Sequence, residues 1–260
     1  MCITKINGIY LYQSGVLKKE NLVHGFTARL GGVSTGAYES LSMSPRRGDD
    51  PKAVRENEKI LVSALGLKLE NLTSTLQEHT ANVRVIEKED IGRGVKTQWS
   101  SGVDGIVTTL KNVPLLCYSA DCVPILFYAA DIKAIGAVHA GWRGTAAQIA
   151  KNAVRTLFCL GASDENIYAA IGPCIGKCCY EVGGDVAKNF RKDVYTEKEN
   201  GKYMLDLAQE NRMQLADAGL REEKISLSGI CTSCKNELFF SHRAQHGKSG
   251  TLGGIICMRD

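Results

Sequence analysis

Three residues have the types and surroundings to act on one substrate or to hold one metal ion: His79, Cys122 and His139. Cys122 directly precedes the apolar run 123–130, and His139 directly follows a second apolar run, 134–138. His79 stands near the start of a third strand-like stretch, so all three side chains could converge where strands begin or end. Two imidazoles and a thiolate would give a tetrahedral zinc ion three ligands and leave the fourth position to water, which is the catalytic pattern.

The same three residues are compatible with other roles. They are far apart in sequence and could be separate core residues. Cys122 could instead be a nucleophile, with His139 or His79 as its base. Asp121 and Glu78 directly precede two of the candidates, but side chains alternate along a strand, so each carboxylate should point away from its neighbour. For these two carboxylates, surface salt bridges are favoured over a role in orienting the site.

Two further segments could bind an anionic group of a substrate. Residues 141–145, Gly-Trp-Arg-Gly-Thr, open a predicted helix, where backbone N–H groups and Arg143 could hold a phosphate or carboxylate. A surface arginine in a glycine turn fits the same pattern. His24 and Arg29 lie in the glycine-rich stretch 24–36, where glycine permits positive φ and close approach of the backbone to a ligand. We therefore expect His24, Arg29 and Arg143 to bind substrate.

Five other cysteines cluster in two parts of the chain: Cys174, Cys178, Cys179, Cys231 and Cys234. A Cys-x-x-Cys pair can be half of a zinc site or a redox pair, but no second pair has the usual spacing. The sequence therefore disfavours a structural zinc here.

Strands alternating with a few helices would position these residues. A helix is predicted to start at Pro51, capped by Asp50, and to end near Gly66. A second is predicted over 145–159, with Thr145 and Gln148 as a capping box, and a third over 206–218, capped by Asp206. Predicted strands include 76–86, 123–130 and 134–138, and a closing pair formed by 239–243 and 253–259.

Composition limits the function classes. The 260 residues are 44% hydrophobic and 23% charged, with a net charge of +4 and no basic stripe, so we expect no nucleic-acid binding. No apolar run approaches the roughly 18–20 residues of a spanning helix, so we expect no membrane association. One dense cationic spot, Arg46–Arg47, lies in a predicted loop. No export signal is evident, which predicts a cytoplasmic protein with reduced cysteines. We expect one α+β domain over residues 1–260, with mixed β-sheet flanked by helices.

The chain resembles the YfiH/YlmD family, also named the laccase-domain or multicopper polyphenol oxidoreductase family. The matching stretches run in order from about residue 22 to residue 258: His24-Gly-Phe-Thr-Ala-Arg-Leu-Gly-Gly-Val-Ser-Thr-Gly, Gly48-Asp-Asp-Pro51, Gln77-Glu-His79, Asp104-Gly, Ala120-Asp-Cys122, Val138-His-Ala-Gly-Trp-Arg-Gly144, Ile171-Gly-Pro-Cys-Ile, Cys178-Cys-Tyr-Glu-Val, Asp206-Leu, Cys231-Thr-Ser-Cys234 and Phe239-Phe-Ser-His-Arg243. One departure is Met43-Ser-Pro-Arg-Arg, where the family usually carries an asparagine after Ser40-Leu-Ser.

The resemblance implies a CNF1/YfiH-like fold and a zinc ion on His79, Cys122 and His139, with copper as the alternative metal. It implies phosphorolysis of adenosine, inosine, guanosine or methylthioadenosine, with adenosine deamination as an associated activity. Two other activities stay open: copper-dependent polyphenol oxidation, and a cysteine hydrolase that edits peptidoglycan precursors. Multicopper oxidation needs several histidine-rich sites and the chain has five histidines, so we rank the phosphorylase first. The sequence leaves monomer and homodimer open.

Overall fold

Two six-stranded sheets form the core of the protein, which a computed structural model describes from residue 3 to residue 260. In chain order the strands are β1 (Ile3–Ile6), β2 (Ile9–Tyr12), β3 (Leu22–Thr27), β4 (Thr73–Ser74), β5 (Val83–Val85), β6 (Gly105–Thr108), β7 (Leu115–Ser119), β8 (Val123–Ala129), β9 (Ala134–Ala140), β10 (Ile167–Ile171), β11 (Glu181–Val182), β12 (Tyr195–Glu197), β13 (Tyr203–Leu205), β14 (Ile225–Leu227) and β15 (Leu252–Met258). The helices are α1 (Pro51–Ala64), α2 (Trp142–Ala146), α3 (Ile149–Cys159), α4 (Gly184–Ala187) and α5 (Leu207–Asp217).

Both large sheets are mixed. The first has the order β1-β2-β3-β15-β7-β4 and the second β14-β10-β8-β9-β6-β5, while β11-β13-β12 form a small third sheet. Neighbouring strands are antiparallel except for β4 with β7, β10 with β14 and β5 with β6. Mixed sheets with flanking helices confirm the predicted α+β class. Within residues 3–260, no helix combines the length and the apolar character that crossing a bilayer requires.

The hairpin of β8 and β9 lies between two hydrophobic layers. On one face, Leu126 and Ile135 pack in a cluster with Leu115 and Ile256 of the other large sheet. On the opposite face, Phe127 and its neighbours pack against α3 and α5. A strand buried on both faces has no polar face to alternate with its apolar one, which explains the continuous apolar runs in the sequence. The strands predicted over 123–130 and 134–138 are confirmed as β8 and β9.

Two helix predictions are confirmed at their N-terminal ends. The Asp50 carboxylate accepts a hydrogen bond from the Lys52 backbone N–H at 3.0 Å, and Pro51 is the first residue of α1. The Asp206 carboxylate likewise accepts from the backbone N–H of Gln209 at 2.9 Å, and Asp206 caps the N-terminus of α5. Both caps satisfy an N–H group that has no partner within the helix.

The predicted helix over 145–159 is wrong in its first turn, and the Thr145–Gln148 capping box does not form. Gln148 has a left-handed backbone with φ of 61°, which separates α2 from α3. The Asn211 amide of α5 donates to the Thr145 hydroxyl at 3.0 Å, and the Gln214 amide donates to the Thr145 carbonyl at 2.9 Å. These contacts occupy the groups that a continuous helix and its cap would have used.

Two strand predictions are also corrected. Residues 239–243 contain no strand, and β15 pairs with β3 and β7 rather than with that segment. The stretch 76–86 is strand only over Val83–Val85, and residues 77–82 form an irregular loop. Polar contacts of this loop, described below, replace the hydrogen bonds that a strand would have made.

Candidate active site and metal centre

The structure brings the three candidate ligands together. The ligand atoms of His79, Cys122 and His139 all lie within 4.8 Å of one another. The Cys122 Sγ is 3.9 Å from the His79 Nε2, and the two imidazole rings meet edge to face with centroids 5.0 Å apart. Convergence of these side chains, predicted from strand ends, is therefore a property of the fold.

Two of these residues are held by the central hairpin. Pro124 of β8 pairs with His139 of β9, so Cys122, two residues earlier, lies beside the histidine. The preceding residue, Asp121, has a left-handed backbone with φ of 87°, which turns the chain sharply into β8. Gly141 lies against the site as well, because a Cβ atom there would stand 2.6 Å from the His79 Cδ2 and 3.3 Å from the Cys122 Sγ.

The third residue, His79, is held in its loop by the buried carboxylate of Asp104. The carboxylate accepts backbone N–H groups of Glu78 at 3.1 Å, His79 at 3.1 Å and Thr80 at 2.8 Å, and also the Thr80 hydroxyl at 2.8 Å. These bonds fix the loop while His79 keeps a left-handed backbone with φ of 60°. The local energy that such a conformation costs is offset by the donors gathered on one carboxylate.

Asp104 also orients the second histidine. Its Oδ1 lies 2.9 Å from the His139 Nδ1, and Asp104 is fully buried while His139 is 3% exposed. A carboxylate on Nδ1 keeps the proton there and leaves Nε2 as the nitrogen available to a metal or a thiol, as in carboxylate–histidine–zinc sites.

The charges of the triad reinforce one another. Burial opposes ionisation of Cys122, but the charge of His139 and hydrogen bonds from both histidines outweigh it and lower the pKa of the thiol to about 6. Burial also disfavours a charged His139, yet the Cys122 thiolate and the Asp104 carboxylate raise the His139 pKa to about 9. A thiolate at neutral pH is the form that binds metals and the form that attacks electrophiles.

The donor set fits a catalytic zinc ion. With Zn–S of about 2.3 Å and Zn–N of about 2.0–2.1 Å, the ligand atoms of a tetrahedral ion lie roughly 3.5 Å apart. The 3.9 Å between the Cys122 Sγ and the His79 Nε2 is close to this value. Three protein ligands leave one position open toward a cleft, which a substrate or water would need.

A small cleft of about 70 Å³ opens onto the triad, less than the roughly 300–1,000 Å³ of typical small-molecule sites. Arg46 and Arg47 line it, and within residues 3–260 neither forms an ion pair with a carboxylate. Ser119 and Thr251 line it too, and their hydroxyl groups are buried and have no hydrogen-bond partner among the described residues. The cleft thus offers two cations beside the candidate ligands, with two unpartnered hydroxyls buried in its wall.

A second cleft, of about 290 Å³, shares Arg47, His79 and Cys122 with the first. Its other wall comes from two loops, which contribute these residues: Ile175, Tyr180, His242 and Arg243. The triad therefore lies at the junction of two openings.

The residues expected to bind substrate lie elsewhere. His24 is 1% exposed, and its Nε2 is 3.1 Å from the backbone N and O of Ser14. Arg29 donates to the carbonyls of Glu39 and Asn236 and covers the Phe240 ring at 4.5 Å. None of His24, Arg29 and Arg143 lines either cleft.

The remaining prediction, Arg143, is exposed and lies over the ring of Trp142 at 4.3 Å. Its helix, α2, has five residues.

Two groups that face or support the site were not predicted to have a role. In the sequence, Asp104 appears only as part of an Asp-Gly pair, and Arg46–Arg47 appears only as a cationic spot. Asp121 and Glu78, considered as ligand-orienting carboxylates, do not contact the triad histidines; Asp121 instead accepts from the Thr232 hydroxyl at 2.6 Å.

Known proteins share this architecture. The family model described as "Multi-copper polyphenol oxidoreductase laccase" matches residues 23–259. The purine nucleoside phosphorylase YlmD of Geobacillus stearothermophilus is 39% identical over 250 residues, which cover 92% of this chain and 90% of that protein. The chain belongs to the YfiH/YlmD laccase-domain family.

Other members of the YfiH/YlmD family agree in sequence and in structure. A protein named adenosine deaminase RL5, from an unknown prokaryotic organism, is 34% identical, covering 90% of this chain and 93% of that protein. The crystal structure of YlmD from Geobacillus stearothermophilus has a TM-score of 0.91 at 35% identity and covers 99% of this chain and 98% of that one. The structure of Bacillus licheniformis YfiH has a TM-score of 0.91 at 31% identity, with 97% of each chain covered. The relatives named purine nucleoside phosphorylase and adenosine deaminase carry enzyme names, and the chain is an enzyme of this family.

Proposed function

We propose that the protein is a zinc-dependent purine nucleoside phosphorylase, with adenosine, inosine, guanosine and methylthioadenosine as candidate substrates. The observation that carries the proposal is the triad of His79, Cys122 and His139 at the floor of a cleft lined by Arg46 and Arg47. The relatives named purine nucleoside phosphorylase support the same activity. The partners are then nucleosides and phosphate, and we place the reaction in the cytoplasm, in one domain over residues 1–260.

Phosphorolysis requires a bound phosphate anion next to the sugar. Arg46 and Arg47 are the cations that line the first cleft, and a guanidinium group binds phosphate in two-point geometry. The Arg46 Nη2 also donates to the Gln98 side chain at 3.2 Å, which steadies this arginine. We assign the phosphate to this pair, in place of the predicted Arg29 and Arg143.

The sugar needs partners for its hydroxyl groups. Ser119 and Thr251 line the same cleft, each residue is 4% exposed, and their hydroxyls lack a partner in the described part of the chain. A buried hydroxyl without a hydrogen bond is costly, so a ligand that supplies one is favoured. Ribose hydroxyls match this requirement.

In the proposed reaction a phosphate oxygen forms a bond to C1′ of the ribose as the bond from C1′ to the purine nitrogen breaks. The electron pair leaves with the base, which then takes a proton, so the products are the base and ribose 1-phosphate, or 5-methylthioribose 1-phosphate when methylthioadenosine is the substrate. Asp104 holds the His139 ring in place, and the two arginines hold the phosphate against the sugar. A bound zinc ion would supply positive charge that polarises a substrate oxygen or nitrogen.

The test is to give the purified protein each nucleoside with and without phosphate, and to measure free base and ribose 1-phosphate by chromatography. We expect base release that depends on phosphate and that falls about 100-fold or more in Cys122→Ser and His139→Gln. Cys159→Ser is the matched control, because Cys159 is an exposed thiol at the end of α3. Release of no base from any nucleoside would refute the proposal.

Adenosine deamination is a second candidate, favoured by the relative named adenosine deaminase RL5. Zinc deaminases use a carboxylate that is not a zinc ligand as general acid and base. Among residues 3–260, no carboxylate lines the first cleft, and both oxygens of Asp121 in the second accept bonds from Thr232 and Arg243. The same chromatographic assay, run without phosphate, measures inosine formed from adenosine.

A cysteine hydrolase acting on peptidoglycan precursors is the third candidate, because Cys122, His139 and Asp104 stand in the order nucleophile, base and orienting carboxylate. It predicts activity that survives a chelator and is lost on alkylation of Cys122.

Polyphenol oxidation by several coppers is disfavoured, because only two of the five histidines, His79 and His139, belong to a ligand group among the described residues.

A further inference from the structure

A second group of potential ligands lies outside the triad and consists of cysteines alone. The Sγ atoms of Cys178, Cys179, Cys231 and Cys234 all lie within 4.8 Å of one another. Cys234 Sγ is 3.5 Å from Cys178 Sγ and 3.4 Å from Cys179 Sγ. These separations exceed the roughly 2.05 Å of a disulfide bond. They approach the spacing of about 3.8 Å that a tetrahedral ion with Zn–S of about 2.3 Å imposes on its sulfur ligands.

The backbone around the cluster is shaped to hold thiolates. The Gly176 N–H donates to the Cys231 Sγ at 3.2 Å, and a hydrogen bond of this kind stabilises a negatively charged sulfur. A Cβ atom at Gly176 would stand 3.1 Å from the Cys231 Cβ and 3.3 Å from the Cys178 Sγ, so glycine leaves just enough room. The Lys235 N–H donates to the Cys231 carbonyl at 3.1 Å and closes the Cys-x-x-Cys turn.

We propose that Cys178, Cys179, Cys231 and Cys234 hold a structural zinc ion, distinct from the metal of the triad. Four cysteine ligands close the coordination shell and leave no position for substrate, which is the structural pattern. The nearby Cys174 is buried outside the cluster and is not a ligand. Cys178 and Cys234 are exposed, so an ion can enter from solvent.

The position of the cluster gives the ion its role. The cysteine cluster joins the loop that carries Ile175 and Tyr180 to the loop that carries His242 and Arg243. These four residues form the far wall of the second cleft. The Arg243 guanidinium adds a bond to the Cys179 carbonyl at 3.3 Å. The zinc ion therefore fixes one wall of a cleft that ends at the triad, although none of its ligands contacts the cleft.

The experiment starts from the unmodified protein, purified anaerobically without chelator, because its zinc content and the number of sulfur ligands per zinc ion together separate the alternatives. We expect two zinc ions per chain, one in Cys234→Ser, one in Cys122→Ser and two in the control Cys159→Ser. X-ray absorption at the zinc edge should give an average of 2.5 sulfur ligands per ion, since five cysteine sulfurs serve two sites. Loss of the structural ion should lower the melting temperature by about 5 °C or more.

Three results would overturn the proposal: one zinc per chain with about one sulfur ligand in the unmodified protein, zinc content unchanged by Cys234→Ser, or iron in place of zinc at this site. A disulfide between Cys234 and a neighbouring cysteine, found by peptide mapping of the anaerobic protein, would overturn it too. The unmodified protein answers these questions even if a variant fails to fold. The outcome is also separate from the proposed function, because Cys234→Ser leaves His79, Cys122 and His139 intact.

Discussion

Replacing Asp104 by asparagine tests how one buried carboxylate supports the whole site. The side chain keeps its size but gains an N–H₂ group where it had an acceptor. In one orientation that group faces the His79 N–H and the His139 Nδ1, and in the other it faces the backbone N–H groups of Glu78 and Thr80. As long as His139 keeps its proton on Nδ1, either orientation leaves at least two donors without an acceptor.

The magnitude follows from those two donors. A buried donor without an acceptor costs about 1–3 kcal/mol, so two give a loss of about 4 kcal/mol in the free energy of unfolding. For a protein of this size that is a fall of roughly 10 °C in melting temperature. If His139 instead accepts from the new amide at Nδ1, its proton moves to Nε2, and the nitrogen that should bind metal is blocked. Metal affinity should then fall about 10–100-fold.

The assay has two parts. Denaturant unfolding of the metal-free protein gives the stability change, and competition with a coloured chelator gives the zinc affinity. Thr80→Val is the first control, because it removes one hydroxyl that Asp104 accepts and leaves the contact with His139. Asp131→Asn is the second, because Asp131 is an exposed carboxylate that accepts the N–H and hydroxyl of Ser163. Both controls should keep the zinc affinity of the parent.

The reasoning fails if Asp104→Asn binds zinc as tightly as the parent protein. It also fails if Thr80→Val weakens zinc binding as much as Asp104→Asn does, because the effect would then come from general loosening of the loop. Stability loss alone, with unchanged affinity, would show that Asp104 holds the backbone and does not set the proton position on His139.

Three further predictions address other parts of the molecule. Arg47→Ala should raise the KM for phosphate about 10-fold or more, while Arg143→Ala, outside both clefts, should leave it unchanged. Burial holds the folded pKa of His24 at about 4, below its unfolded value near 6.5, so the unfolded state binds the proton first. The stabilisation that neutral His24 provides should therefore be fully present above pH 6.5, and the free energy of unfolding should fall by about 3 kcal/mol as the pH drops to 4. In urea unfolding, His24→Gln should show a weaker dependence of this free energy on pH. Gly141→Ala should weaken zinc binding about 10-fold in the same chelator assay, because the new Cβ crowds the triad. A Cβ at Gly15 would have nothing within 4 Å, so the control Gly15→Ala should not change zinc affinity. Equal affinity in the two variants would show that the site tolerates the methyl group.

The central hairpin and two of the three candidate ligands could be predicted because they depend on local signals. Apolar runs long enough to be buried on both faces mark β8 and β9, and Cys122 and His139 stand at their ends. The helix caps at Asp50 and Asp206 are local in the same sense, since each carboxylate bonds an N–H two or three residues away.

The errors occurred where distant contacts override local preference. The loop around His79 has strand-like sequence, but its N–H groups bond the carboxylate of Asp104, which is 24 to 26 residues away. The helix after Trp142 breaks because side chains of α5 take the polar groups of Thr145. The role of Asp104 could not be predicted, because nothing near it in sequence shows that a histidine 35 positions later returns to it.

The arrangement around Asp104 also has a consequence for local unfolding. Three consecutive amides, those of Glu78, His79 and Thr80, share one acceptor, so they should open to solvent together, and hydrogen exchange should protect them to the same degree. Opening this loop removes His79 from the triad while Cys122 and His139 stay on the rigid hairpin. Bound metal should therefore slow hydrogen exchange at these three amides far more than at the amides of β8 or β9. The rate of metal release would then equal the rate at which this loop opens.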